Sequence, residues 1–286
     1  MISGLKGWLN RELASIFEKN EARSISRLLT EEYLGFSPTG MLVHADDEIS
    51  REVFGKFQLA IEKLRSNIPV QYVLGKASFL GLDLKVGPGV LIPRPETEEL
   101  ALLIINDLQG HCRDIKILDI GTGTACLPLA LDKHVDNIEL TGIDASKTAL
   151  AYAKENVSAY DAEVKLIQMD FLDKVNWGSL ESYDFVISNP PYVTEEDIPA
   201  MQKNVIDQEP DMALFSNENR PLLFYEKIIE FSLGHLREGG CIYLEINQKY
   251  GRKVVSLLKE NGFDKVVLLK DIRGKDRFTR ACKGNL

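Results

Sequence analysis

The stretch Ile115-Lys116-Ile117-Leu118-Asp119-Ile120-Gly121-Thr122-Gly123-Thr124-Ala125 decides the fold. Residues 115–120 form a short, β-branched apolar run carrying one acid near its end, which predicts a buried strand. The run leads straight into a glycine turn, and the Ala- and Leu-rich residues that follow, to about Leu131, predict a helix. Strand, glycine turn and helix make a nucleotide-type site. Gly121 permits a tight turn, and Gly123 lets the backbone approach a ligand with no Cβ in the way. The spacing is not that of the dinucleotide fingerprint, which needs glycine at position 126, where this chain has Cys126.

Working outward, the pattern repeats downstream. Ile138-Glu139-Leu140-Thr141-Gly142-Ile143 predicts a second strand ending in Asp144. An acid about 20 positions beyond the glycines, at a strand end, is placed to accept ribose hydroxyls. Ser146 caps the helix that follows, through Ala149, Leu150, Ala153 and Val157. A third strand, Val164 to Met169, ends at Asp170-Phe171, an acid and a ring suited to an adenine edge and face. Taken singly, each acid reads equally well as a helix cap or a solvated loop residue. Asp119, Asp144 and Asp170, however, end three successive strands of one βαβ series. In such sheets the ligand lies beyond the carboxyl ends of the strands, so the three should converge on one crevice.

A fourth strand, Tyr183 to Ser188, is stopped by Asn189-Pro190-Pro191-Tyr192. Proline fixes its own φ and pushes the preceding residue out of the helical region, so Asn189 and Pro190 are both held extended. The Asn189 carboxamide and the Pro190 carbonyl become fixed acceptors beside an aromatic ring. That combination suits gripping a planar NH2 group by both hydrogens while covering its flat face. Cys241 to Ile246 predicts a fifth strand, Lys265 to Leu269 a sixth, and Arg277 to Cys282 a seventh, returning antiparallel. The stretch between Tyr192 and the helix from about Pro221 is long for a compact domain, which marks it as functional.

Upstream, apolar residues recur at helical spacing. Leu5, Trp8, Leu9, Leu13, Ile16 and Phe17 make one stripe, Ile25, Leu28, Leu29 and Tyr33 a second, and Phe54, Phe57, Leu59, Ile61 and Leu64 a third. Asn20 and Ser50 are expected N-caps, with Gly35 and Pro38 as punctuation. Residues 1–68 are thus expected as a helical bundle, 69–92 as a hairpin linker (Val70 to Gly75 against Ala77 to Gly81), and 93–286 as the α/β domain. The loop Pro93-Arg94-Pro95-Glu96 leads into a helix begun by Glu96 or Thr97, and on local grounds reads equally as a domain connector.

Composition narrows the function classes. A net charge of -9 and a pI near 5.1 argue against broad nucleic-acid or membrane-surface binding, which wants a basic face. Cys112, Cys126, Cys241 and Cys282 show no C-x-x-C pairing and are expected as small buried hydrophobes in a reducing compartment, without disulfide or zinc. The start of the chain lacks an apolar core of signal-peptide length, and no stretch is long enough to span a bilayer, so a cytoplasmic location is expected.

Asp119 to Ala125 followed by Asp144 resembles the S-adenosylmethionine site of class I methyltransferases, and Asn189 to Tyr192 resembles the members that methylate an amide or exocyclic amino nitrogen. Pro69 to Gly75, Leu91 to Glu98, Glu209-Pro210 with Ala213-Leu214, Glu245 with Gln248, and Gly274 to Arg277 narrow the resemblance to the release factor glutamine methyltransferases (the HemK/PrmC family). It covers essentially the whole chain. The resemblance implies a Rossmann-like seven-stranded sheet and a helical N-terminal domain that recognises the substrate protein. It implies methyl transfer from S-adenosylmethionine, leaving S-adenosylhomocysteine, to the glutamine amide of the Gly-Gly-Gln loop of class I peptide chain release factors, in translation termination. It further implies that Asp119, Gly121, Thr122, Gly123, Thr124, Ala125, Asp144, Asp170, Phe171 and Asn189 hold the cofactor, and that Asn189, Pro190, Pro191 and Tyr192 hold the substrate, with Asn189, Pro190 and Tyr192 catalytic. Two departures stand out: Ala125 replaces the usual last glycine, with slightly tighter packing expected, and Lys275 stands where arginine is common. No metal, covalent intermediate or direct nucleic-acid contact is expected. The alternative is an adenine-amino DNA or RNA methyltransferase, since the same tetrapeptide suits that NH2 group; it would call for a basic target-recognition region.

Overall fold

A computed structural model describes residues 1–37, 39–109, 114–201, 203–216 and 220–284, the side chains of residues 200 and 203 excepted. Pro38 and Cys112 lie outside them. The chain forms two units, one of residues 1–75 with 202–208, the other of residues 76–201 with 209–286.

The first unit is helical: α1 (Ile2–Ala14), α2 (Lys19–Leu34), α3 (Gly40–Val43), α4 (Arg51–Arg65) and α5 (Val70–Leu74). Its core holds Leu5, Leu9, Leu13, Ile25, Leu29, Phe57, Ile61 and Leu64, the residues that share one face at helical spacing. Leu59 falls off that face and is 53% exposed. Ser50 caps α4 by accepting from Val53 N, whereas α2 starts two residues earlier than expected, with Glu18 and not Asn20 at its N-cap. Val70–Leu74, expected as a strand, is a helix. Pro69 presets its start, Gly75 closes it in the left-handed region, and Tyr72 is buried while Val70, Val73 and Leu74 pack on the bundle core.

The second unit opens with a hairpin, β1 (Lys76–Phe79) and β2 (Leu82–Lys85), turned by Leu80 and Gly81 at φ 46° and 74°. Positive φ at both central residues matches the twist of the flanking strands. There follow α6 (Pro95–Leu108), β3 (Ile115–Ile120), α7 (Cys126–His134), β4 (Ile138–Asp144), α8 (Lys147–Ala159), β5 (Val164–Gln168) and β6 (Tyr183–Ser188). Next along the chain is α9 (Lys203–Gln208), which belongs to the first unit; α10 (Asp211–Leu214), α11 (Leu223–His235), β7 (Leu236–Glu245), α12 (Gly251–Glu260), β8 (Phe263–Lys270) and β9 (Asp276–Lys283) complete the second. The large sheet has the order β5-β4-β3-β6-β7-β9-β8, parallel from β5 to β7, with β9 antiparallel to both its neighbours.

Both faces of this sheet are covered, as a parallel sheet requires. Successive side chains alternate: Ile115, Ile117, Phe185, Ile187 and Tyr243 join the core under α6 and α7, while Leu118, Ile120, Val186, Ile242 and Leu244 join the core under α11 and α12. The order reverses between β3 and β6, so a crevice opens where their carboxyl ends part.

The cysteine expectation needs correcting. Cys241 and Cys282 face each other in the β7–β9 register and form a disulfide. Their separation of 41 residues carries no sequence signal, because the antiparallel register is what brings them together. Cys126 is free, and burial pushes its thiol up to about 12.

Candidate active site

A cavity of about 300 Å³ lies at the topological switch point. Of the residues read from the sequence, Asp119, Gly121, Thr122, Gly123, Thr124, Asp144, Asp170, Phe171, Asn189 and Pro191 line it. Ala125, Pro190 and Tyr192 stand behind that first layer, buried or half-buried.

The glycine loop is built by backbone strain of the permitted kind. Gly121 and Gly123 take φ of 76° and 55°, and a Cβ at either position would meet no atom within 4 Å. The emptiness on that side is the cavity itself. Ala125 also adopts φ 63° while fully buried at the start of α7, so its departure from glycine carries a backbone cost of about 1–2 kcal/mol.

Two carboxylates face each other across this loop. Asp144 accepts from Gly123 N at 2.9 Å and from Ser146 N at 2.8 Å, so it both ties the loop and retains lone pairs toward the cavity. Burial raises its pKa, and those two amides oppose the shift. Asp119 is 2% exposed, and its Oδ1 has no partner. Burial lifts its carboxyl to about 7, with the Thr122 hydroxyl opposing the rise and the Asp144 charge adding to it. A buried, unpartnered carboxylate oxygen in a cavity wall is a site awaiting a donor, best of all a cationic one. Phe171 is held by Trp177, stacked at 5.4 Å, and by Phe231 edge-on, while Trp177 Nε1 donates to Phe171 O at 2.8 Å.

The other wall comes from residues the sequence reading left without a role. Thr97, on the first turn of α6, accepts from Asn189 Nδ2 at 3.0 Å and donates to Glu245 Oε2 at 2.8 Å. Tyr192 OH donates to the other oxygen, Glu245 Oε1, also at 2.8 Å. Glu245 ends β7 and is 1% exposed; burial raises its pKa, and the two hydroxyls and the Arg277 charge push it back. Arg277 pairs with Asp271 at 3.5 Å, whereas Lys275 is exposed and gives Asp271 its backbone N–H.

Beyond the tetrapeptide the chain is anchored twice. Val193 bridges Phe215 and Thr194 caps a 3-10 turn through Asp197, which also receives Asn247 and Lys249. At the far end Glu209 is buried and accepts from Arg94 at 2.6 Å and from Ile92 N at 3.2 Å, closing the cavity wall with Met212 and Ala213. Burial raises the Glu209 pKa, and the Arg94 charge opposes that rise. Arg94→Ala strands a buried carboxylate, so it should cost about 3 kcal/mol in urea denaturation at pH 7. Loss below about 0.5 kcal/mol would show the pair to be a surface contact.

Among the described residues no group of His, Cys, Asp and Glu is arranged to hold a metal ion, and no helix is long and apolar enough to cross a membrane.

Residues 8–75 match the model of the PrmC N-terminal domain, and residues 96–217 match that of the methyltransferase small domain. The chain is 37% identical over 277 residues to the release factor glutamine methyltransferase of Bacteroides thetaiotaomicron, covering 97% of this chain and 98% of the relative. It is 35% identical over 270 residues to that of Flavobacterium psychrophilum, covering 94% of each. Among solved structures, a methyltransferase from Pyrococcus furiosus superposes with a TM-score of 0.52 at 20% identity, over 81% of this chain and 100% of that one, which speaks to the fold.

Proposed function

Since this chain belongs to the release factor glutamine methyltransferases, we infer that it methylates the side-chain amide nitrogen of the glutamine in the Gly-Gly-Gln loop of class I peptide chain release factors, in the cytoplasm. The residues of the cavity fit S-adenosylmethionine as donor. The unpartnered Asp119 oxygen suits its ammonium group, the open space over Gly121 and Gly123 admits a ligand close to backbone, and Asp144 retains acceptor capacity for ribose hydroxyls. Asp170 and Phe171, at the far end of the crevice, suit an adenine edge and face. When bound, this cofactor supplies a methyl carbon on a positively charged sulfur, an electrophile that needs no further activation.

The task left to the chain is alignment. A carboxamide nitrogen is a poor nucleophile because its lone pair is delocalised into the carbonyl. Asn189 Oδ1 and the Pro190 carbonyl accept the two amide hydrogens and aim the nitrogen; their dipoles favour the positive charge that develops there. With the donor held by the glycine loop, Asp119 and Asp144, the aligned amide nitrogen would accept the methyl carbon with the bonding pair left on the donor's sulfur, and one N–H proton would pass to solvent as the product leaves. Tyr192, tied to Glu245, backs this wall and keeps bulk water out. The segment 194–209 contacts the substrate protein, and the helical bundle of residues 1–68 assists recognition.

The observation that supports this reading best is the Asn189 carboxamide at the cavity edge with its nitrogen already engaged by Thr97. The test is methyl transfer from labelled S-adenosylmethionine to a class I release factor, its Gly-Gly-Ala variant, duplex DNA and ribosomal RNA. Label should appear on the release factor alone and vanish in the variant. Label on nucleic acid with the release factor untouched would favour an adenine-amino methyltransferase instead.

A further inference from the structure

The polarity of one buried hydrogen-bond chain decides which end of the Asn189 carboxamide reaches the substrate. Glu245, as a carboxylate, can only accept. Both of its oxygens receive hydroxyls, Thr97 Oγ1 at 2.8 Å and Tyr192 OH at 2.8 Å. Thr97 therefore spends its single proton on Glu245 and has only lone pairs left for Asn189. A lone pair can be met only by the NH2 end of the carboxamide, which lies 3.0 Å away. The atom left for the cavity is Oδ1, an acceptor. Thr97 is 2% exposed, so water does not compete for these positions.

We propose that Glu245, acting through Thr97, is the positioning residue that orients the Asn189 carboxamide with its oxygen toward the amide being methylated. The same carboxylate holds Tyr192, so one buried group clamps the first and last residues of the tetrapeptide. The proposal rests on the reading that Asn189 accepts a substrate N–H. Without the clamp the carboxamide could turn over and present NH2 to NH2, two donors facing each other.

Three variants separate these roles. Thr97→Val keeps the shape and removes the hydroxyl, Thr97→Ser keeps the hydroxyl, and Glu245→Gln supplies a donor that lets the chain run backwards. The readouts are kcat and KM for a class I release factor, S-adenosylmethionine affinity by calorimetry, and the solvent-exchange rate of the Asn189 Nδ2 protons by NMR of the unliganded protein. Thr97→Val should lower kcat by about 10²-fold and Glu245→Gln by at least about 10-fold, as expected when an aligned polar group is lost. Affinity for S-adenosylmethionine should stay within a few fold, and Thr97→Ser should retain near-normal turnover. Exchange at Asn189 should be slow in the parent and in Thr97→Ser, and fast in Thr97→Val. Normal kcat in Thr97→Val while Asn189→Ala is inactive would overturn the proposal and leave the acceptor reading standing. An active Asn189→Ala would overturn both. Parallel loss of kcat and S-adenosylmethionine affinity in all three variants would reduce Glu245 to a structural residue and also overturn it.

Discussion

Asn189→Ala is expected to lower kcat for methyl transfer to a class I release factor by about 10²–10³-fold, while S-adenosylmethionine affinity stays within a few fold. Alignment of nitrogen, carbon and sulfur can supply roughly 7–11 kcal/mol in favourable cases, and one of the two acceptors that set it is removed. Alanine leaves the extended backbone before Pro190 unchanged, because that restriction comes from the following proline. It also frees the Thr97 hydroxyl, which keeps Glu245 as its acceptor, so the buried network is not left with an orphan donor. The measurement is single-turnover kinetics beside calorimetric cofactor binding. If both fall together, Asn189 is serving the cofactor or the fold and not the substrate amide.

Asp119→Asn should move stability and affinity in opposite directions. Burial holds the Asp119 carboxyl at about 7 in the folded, unliganded chain, against 3.8 as its ordinary value. The folded state then keeps a proton that the unfolded chain releases. Its contribution is fully present below about pH 4, is lost as pH rises through 7, and is absent above. Converted at about 1.4 kcal/mol per pH unit, that loss amounts to up to about 4 kcal/mol. An uncharged asparagine escapes it, so the unliganded variant should be more stable than the parent at pH 8 by a few kcal/mol and equal to it near pH 4. Cofactor affinity should meanwhile fall by at least about 10-fold, since the ammonium group loses its counter-charge. Chemical denaturation at the two pH values decides the matter. A variant destabilised at both would show Asp119 to be an internal structural partner.

The framework of the α/β unit was legible because its signals are local. Residues 115–125 spell strand, turn and helix within one window, and Asp144, Asp170 and Asn189 each sit at the end of an apolar run. The seven-stranded sheet follows from that series, and the family matches agree with it. What stayed illegible is made by distant contacts. Thr97 meets Asn189 across 92 positions and Glu245 across 148; the resemblance marks the stretch Leu91 to Glu98 and Glu245, but nothing near Thr97 in the chain says which partners it meets. Glu209 and Arg94 are likewise 115 positions apart. The Cys241–Cys282 bond depends on a strand register that no cysteine spacing encodes. Val70 to Leu74 misled for a different reason: a short apolar run lacks the length to tell strand from helix, and the bundle core against which it packs settles the matter.

The double anchoring of the chain beyond Tyr192 has an engineering consequence. Val193, Thr194 and Asp197 hold one end, and Glu209 with Arg94 holds the other, so the wall carrying Asn189 does not depend on what is written between. Substitutions between these anchors should leave both anchors, and the Asn189 wall they carry, in place.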